Sequence, residues 1–440
     1  MAELAESTVR EPAWLAQRRE RAAELRASLD LPRHKGKAGW EFTELGTTFT
    51  LDAFPPVTPG EGDAVGAGET VQPMFEATDG AIELVQVDGR VLNEPDAVED
   101  TQTTSSSGTG GSPVILPLTL AAERHPELVE PHLGKVVPLD GGAEVFVAAN
   151  DADWTGGAFV YVPRGIKVEA PILLTAITAA ATTSLHRRVL IVLDEGAEAE
   201  VWEQYLSADE ESQSLLNTVV ELRVGRNARL RYVCGQDLNE RSWIFGAQRA
   251  EVERDGSLDW VALGFGGANG RVSMNTVLTG PGAHGKVTGA YAPHGRQHVD
   301  FDTTQEHAAP SCVSDLAFRG ILADRSTAVW RGMIKVDEGA QQTDGFQECR
   351  NLLLSKRAHA DAIPGLEILA NDVRCTHAAA VAQIDQDQLF YLRSRGLGEG
   401  PARRLVIEGF LAELVERFEE GPFRDAMAET IERRLERVLG

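Results

Sequence analysis

Cysteine is scarce and unpaired in this chain: Cys234, Cys312, Cys349 and Cys375 stand far apart with no C-x-x-C pair among them. That pattern fits neither a secreted disulfide framework nor a zinc ribbon, so any metal chemistry must gather its ligands from distant positions. Basic charge is also in deficit, with 42 Lys and Arg against 67 Asp and Glu for a formal net charge of -25. Such a balance repels phosphate backbones and anionic lipid, which argues against nucleic acid and membrane surfaces as partners. No stretch approaches the ~20 apolar residues of a membrane span, and Met1 to Pro12 lacks the apolar core of a secretory signal; a cytoplasmic protein is expected. Hydrolase signatures are missing too, since neither G-x-S-x-G nor H-E-x-x-H occurs. The run Gly280-Pro281-Gly282-Ala283-His284-Gly285-Lys286-Val287 has nucleotide-loop spacing, but Val287 replaces the Mg²⁺-binding Ser or Thr and the surroundings read as strand. No intrinsic ATP site is expected.

What the chain does have is glycine, 43 in 440 residues, and long stretches of β-type alternation. Pro12 to Leu29 reads as a helix, with Trp14, Leu15, Ala22, Leu25 and Leu29 sharing one face. A Pro/Gly-rich passage from Phe54 to Gly68 interrupts regular structure, so residues 1–75 read as an N-terminal helical domain. The Ser, Thr and Gly stretch at 101–112 reads as a disordered loop, and Leu118 to Leu133 as a short helix. Strand-like alternation begins at Glu144-Val145-Phe146-Val147 and persists to Ile384, making 76–384 a β core. Residues 385–440 then read as helical, with Asp385 and Gln388 as a capping pair, Pro401 opening a second helix, and two apolar stripes: Ile407, Phe410, Leu411, Leu414, Val415 and Phe418, then Met427, Ile431, Leu435 and Leu439.

Inside the β region a turn followed by a small residue recurs. Ala197, Ala228, Ser257 and Ala283 are 31, 29 and 26 residues apart, and Ala340 stands about two periods further on. No helix of convincing length separates the runs, which argues against βαβ units, and successive coils can bury their alternate apolar side chains by stacking. A mainly β, solenoid-type fold follows, with an antiparallel sandwich or barrel as the alternative that pattern leaves open.

Two groups of side chains could carry chemistry. His294, His298, Asp300, Asp302, Glu306 and His307 are metal-capable, and His298, Asp300 and Asp302 alternate so as to share a face, as polar residues on a solvated strand also do. Cys349, Cys375, His377 and His359 form the stronger set. Thiolate and imidazole together suit iron-sulfur clusters or Zn²⁺, and Cys375-Thr376-His377 puts both ligands on one face of a strand. Burial in a core is the competing reading for the thiols, and the one assigned to Cys234 and Cys312.

The run Val299-Asp300-Phe301-Asp302-Thr303-Thr304-Gln305-Glu306-His307 resembles the SufB/SufD family of iron-sulfur cluster assembly proteins. So do Ser314-Asp315-Leu316-Ala317-Phe318-Arg319-Gly320, Trp330-Arg331-Gly332-Met333-Ile334 and Gln347-Glu348-Cys349-Arg350-Asn351-Leu352-Leu353-Leu354-Ser355. Cys375-Thr376-His377-Ala378, followed by Leu389-Phe390-Tyr391-Leu392-Arg393-Ser394-Arg395-Gly396, is the most specific element, and Val162-Pro163-Arg164-Gly165 and Trp40-Glu41-Phe42-Thr43 extend the similarity upstream. The resemblance implies a right-handed parallel β-helix between helical domains, pairing with a paralogous SufB-type subunit, or with itself in that partner's absence. It also implies SufC-type ABC ATPases docked on the C-terminal helices, so that the chain is a non-ATPase subunit.

Iron or a nascent iron-sulfur cluster would be held transiently at the subunit interface, with His377 in the family's ligand position, Cys375 beside it and Cys349 where SufB-like members carry their cluster cysteine. Ala378, where SufB-like chains tend to have Glu, and the Arg350-Asn351-Leu352-Leu353-Leu354-Ser355 string favour the SufD branch. Two rival readings accompany it: a SufB-like cluster-holding subunit, and a carbohydrate-active β-helix enzyme working through Asp300, Asp302 and Glu306. Against the last stand the missing secretion signal and the failure of 7 Trp and 5 Tyr to cluster into sugar platforms.

Overall fold

A turn that ends on one residue in the left-handed region organises the β region. That residue is Gly165, Gly196, Asn227, Asp255, Gly282, Ser311 and Gln342 in successive coils, with φ between 52° and 74°. Each donates its backbone N–H to the turn of the following coil, from Gly165 to the Glu195 carbonyl at 2.9 Å through to Gln342 to the Asp372 carbonyl at 2.6 Å. Turns therefore stack on turns as strands stack on strands, and every coil fixes the register of the next. The small residue after the turn is buried because the neighbouring coil closes over it; Ala197, Ala228 and Ala283 are fully inaccessible. In the fourth coil Gly256 fills this place, one residue before the expected Ser257, since it directly follows the left-handed Asp255. Cys312, after Ser311, fills the place that the sequence pattern skips.

The computed structural model describes residues 10–33, 39–46, 49–58, 66, 68, 71–78, 80–93, 103–105, 111–139 and 144–439. Helix α1 (Ala13–Ser28) precedes strands β1 (Ile82–Val87), β2 (Arg90–Val91), β3 (Thr103–Ser105) and β4 (Val114–Pro117), then helices α2 (Leu118–Arg124), α3 (Pro126–Val129) and α4 (Val145–Asp153). The solenoid strands follow: β5 (Gly156–Val162), β6 (Ile166–Val168), β7 (Ile172–Thr178), β8 (Ser184–Leu193), β9 (Glu198–Ser207), β10 (Leu215–Val224), β11 (Arg229–Asp237) and β12 (Trp243–Val252). They continue as β13 (Ser257–Gly264), β14 (Asn269–Leu278), β15 (His284–Tyr291), β16 (His298–His307), β17 (Val313–Leu322), β18 (Thr327–Val336), β19 (Thr343–Leu353), β20 (His359–Ile368) and β21 (Val373–Gln383). Helices α5 (Gln386–Ser394), α6 (Glu399–Val415) and α7 (Pro422–Leu439) close the chain.

From β7 on, odd strands stack in one parallel sheet and even strands in the other, giving a β-solenoid of about 8 turns with helices at both chain ends. The Gly280–Val287 run is the turn between β14 and β15 together with the first half of β15, and Lys286 points its ammonium at the Arg417 carbonyl rather than at a helix-borne phosphate. Within the Ser/Thr/Gly stretch expected to be disordered, Thr103–Ser105 is strand β3, antiparallel to β6. Residues 101–102 and 106–110 lie outside the described residues.

Alternation sends Val189, Ile191, Leu193, Leu216, Val220, Leu230, Trp260, Phe318 and Trp330 into the lumen, where all are buried. The outer faces are buried as well, which is why the strands read as apolar on both sides. Ile407, Leu411, Leu414 and Phe418 of the α6 region, with Met427, Ile431 and Leu435 of α7, cover Val233, Val261, Ala290, Ala317 and Ile321 of the odd sheet. On the even sheet Trp40, Phe49 and Phe146 pack against Phe245, the Phe146 and Phe245 rings stacking at 4.0 Å. Phe146 belongs to α4, so the strand expected from Glu144-Val145-Phe146-Val147 is a helix. Its β-branched start is overridden by burial of everything from Val145 to Ala152 between α1 and the sheet. The Asn150 amide ties α4 down by donating to the Arg187 and Asn217 carbonyls.

Candidate functional site

The last coil leaves the solenoid open. Among the described residues β20 and β21 end their sheets with no strand beyond them, and Leu366, Ile368, Leu369 and Val381 are exposed there. Cys375 and His377 belong to this coil. In register β21 matches Cys375 to Gly345, His377 to Gln347 and Ala379 to Cys349 of β19, so all three expected ligands share the inner face of the odd sheet. Cys349 is two residues along and one strand back from His377, about 8 Å between Cα atoms at ordinary strand spacings. Cys375 lies two residues further off, so its backbone is roughly 13 Å along the strand from Cys349. Among the described residues no group of three His, Cys, Asp or Glu is close enough to hold a metal ion. One chain therefore aligns the expected ligands without closing a site around them.

Their environments differ. His377 is exposed and Cys375 half-buried, and burial with the nearby Asp344 carboxylate pushes the Cys375 thiol up. Cys349 is fully buried; burial raises its thiol to about 12 against the lowering effect of its hydrogen bonds. Asn351 donates to the sulfur at 3.4 Å, and the Tyr291 hydroxyl lies 3.5 Å from it while donating to Asn351 Oδ1 at 2.7 Å. In this state Cys349 is a sealed thiol, and ligation requires both exposure and loss of its proton. Tyr291 is invisible to local pattern because it comes from two coils earlier, whereas Asn351 follows from the i, i+2 alternation that points Cys349 inward. His359 does not join the group: it stands on β20 in the other sheet, paired with Asp361 at 3.1 Å.

The second cluster proves structural. Thr43 donates to Asp300 at 2.5 Å and contacts His298 Nε2 at 3.1 Å, clamping the Trp40–Thr43 segment across β16. Arg271 pairs with Asp300 at 2.9 Å and also with Asp302, and Lys335 pairs with Glu306 at 2.6 Å. Each of these carboxylates is thus held in an ion pair with a cation from a neighbouring strand of the same sheet. Glu240 holds His294, and His307 points into the lumen against Ser314. A cavity of about 620 Å³ between Phe75, Trp202 and Phe423 contains none of the expected ligands.

The helical tail presents a second exposed surface. Asp385 caps α5 by accepting from the Asp387 N–H at 2.8 Å, and Phe390 and Tyr391 then stand 74% and 56% exposed. Beyond them Leu405 of α6 is exposed, while the stripe from Ile407 to Leu414 is spent on the solenoid wall.

The comparisons with known proteins agree with this geometry. The iron-sulfur cluster assembly protein SufD of Bacillus subtilis is 29% identical over 97% of this chain and 95% of its own length. Iron-sulfur cluster assembly SufBD family proteins of Staphylococcus saprophyticus and Staphylococcus epidermidis are 30% identical over 66% of this chain, which spans 62% of their length. Residues 175–410, the solenoid from β7 through most of α6, match the SufBD core domain of SUF system FeS cluster assembly. With a two-sheet solenoid, an open final coil carrying Cys375 and His377, and that match over more than half its length, the chain belongs to the SufBD family of the SUF iron-sulfur cluster assembly system, on its SufD-like side.

Proposed function

We propose that this chain is a non-catalytic scaffold subunit of a cytoplasmic SufBCD-type complex, in which iron or a nascent cluster is cargo held at the interface with a SufB-type paralogue. The observation that carries the reading is the uncapped last coil. Two unpaired strand edges, four exposed aliphatic side chains and two ligands on one inner face suit a second solenoid completing both the stack and the coordination sphere. His377 would supply imidazole from this side, with Cys375 beside it, and Cys349 would join once its lumen opens. The exposed Phe390, Tyr391 and Leu405 would receive a SufC-type ABC ATPase, whose ATP the complex uses. Without the paralogue, the same open coil would pair with a second copy of itself.

Co-expression with SufB- and SufC-type partners should return a stable complex on size exclusion. His377→Ala within it should lower iron-dependent cluster formation, read at the cluster absorption bands, by at least tenfold with unchanged melting temperature. A wild-type rate in that variant would remove the ligand role. The SufB-like reading is kept by one feature, the Cys349 thiol. If Cys349→Ser abolishes cluster formation while His377→Ala does not, this chain is the cluster-holding subunit.

A further inference from the structure

Cys349 is flanked in β19 by Glu348 and Arg350, which alternation turns outward as the thiol turns in. The two are joined to the neighbouring strand and to the helical tail by a closed ring of charges. Arg319 of β17, in register with Arg350, donates to Glu348 Oε1 at 2.6 Å and to Glu413 Oε2 of α6 at 3.3 Å. Arg350 closes the ring, lying 3.2 Å from Glu348 Oε2 and 3.3 Å from Glu413 Oε2. The Arg319 side chain is only 4% exposed and its guanidinium lies 5.9 Å from the Phe410 ring centre. Glu413 is thus the carboxylate through which α6 ion-pairs with both strands around Cys349. Further along, Arg417, just past the end of α6, repeats the pattern with Asp315 at 3.2 Å and Thr288 at 3.3 Å, so the connection to α7 is tied to β15 and β17 as well.

An apolar helix face alone could slide over a sheet, whereas a ring of two carboxylates and two guanidiniums has one register. Withdrawing Glu413 would leave a buried arginine short of a partner, and the strands must shift or hydrate to compensate. We propose that Glu413, Arg319, Glu348 and Arg350 are positioning residues that couple α6 to β19, so that displacement of the C-terminal helices loosens the wall sealing Cys349. The proposal rests on the reading that a partner ATPase acts on those helices, and it names the contact by which such an action reaches the buried thiol.

The test uses the isolated full-length chain and peptide-resolved mass spectrometry of iodoacetamide labelling, with buried Cys234 of β11 as the internal reference. Glu413→Gln should raise the Cys349 labelling rate about fivefold by favouring local opening, and leave Cys234 unchanged. Arg350→Gln, which breaks the ring at a half-exposed residue, should give the same selective rise. Arg404→Gln, which removes ion pairs of α6 with Glu408 and Glu432 but none with the solenoid, should change neither thiol. Cys349 rates within twofold of wild type in both ring variants would overturn the proposal, as would an equal rise at Cys234. No iron, nucleotide or partner enters this assay. A null result would therefore discard the coupling and leave the assembly reading standing, while failure of the co-expression test would do the reverse.

Discussion

His307 lies wholly inside the lumen with Ser314 as its hydrogen-bonding partner, and burial lowers its imidazole from 6.5 to about 4. The unfolded chain takes up this proton near pH 6.5 and the folded chain does not until about pH 4. The stability held by the neutral ring is therefore complete above pH 6.5 and drains away as pH falls through that window, by about 3 kcal/mol at most. Burial lowers His186 in the same direction, to about 3, so the effects add. Urea midpoints at pH 7 and pH 4.5 should differ markedly in wild type and by less in His307→Gln. Cys349 is the counterpart at the site: its alternation partner Asn351 could be read from sequence, but the hydroxyl that completes its cage, from Tyr291, could not.

Turns and buried ion pairs decide the elements. Gly196 holds φ at 70°, and an added Cβ would meet only the Gly165 Cα at an ordinary contact distance of 3.9 Å, so Gly196→Ala should cost about 1 kcal/mol from backbone strain alone, read as a drop in melting temperature. Gln342 holds the equivalent conformation with a side chain, and Gln342→Gly should recover about the same amount. Glu221 of β10 accepts from the N–H groups of Gly134, Val136 and Val137 and pairs with Arg188 at 2.8 Å, and Arg188 in turn pairs with Asp151 of α4. Glu221→Gln leaves Arg188 short of a buried partner, and a loss of about 3 kcal/mol in chemical denaturation is expected. The helical tail was readable because its stripes have a clear 3.6-residue period. Helix α4 was not, since Val145-Phe146-Val147 has strand propensity and only enclosure between α1 and the sheet makes it helical.

At the scale of the whole molecule the open coil is the decisive feature, because a solenoid has no intrinsic end and must be capped by other structure or by another chain. Val381→Lys, placed among the exposed aliphatic residues of that coil, should abolish association with a SufB-type partner on size exclusion and leave the melting temperature within a degree or two. By itself the sequence determined the repeat, the helical tail, the single strand face shared by Cys375 and His377, and the family, because strand alternation, turn chemistry and short motifs are local and survive in one dimension. Only the tertiary structure decided that Cys349 is sealed by a tyrosine from two coils away. It alone turned the His298 and Asp300 cluster into a clamp for an N-terminal segment, and it alone left the three proposed ligands aligned but unclosed at a free end. Each of these depends on which coils stack and where the stack stops, and a periodic sequence repeats the same local signal at every coil without recording either.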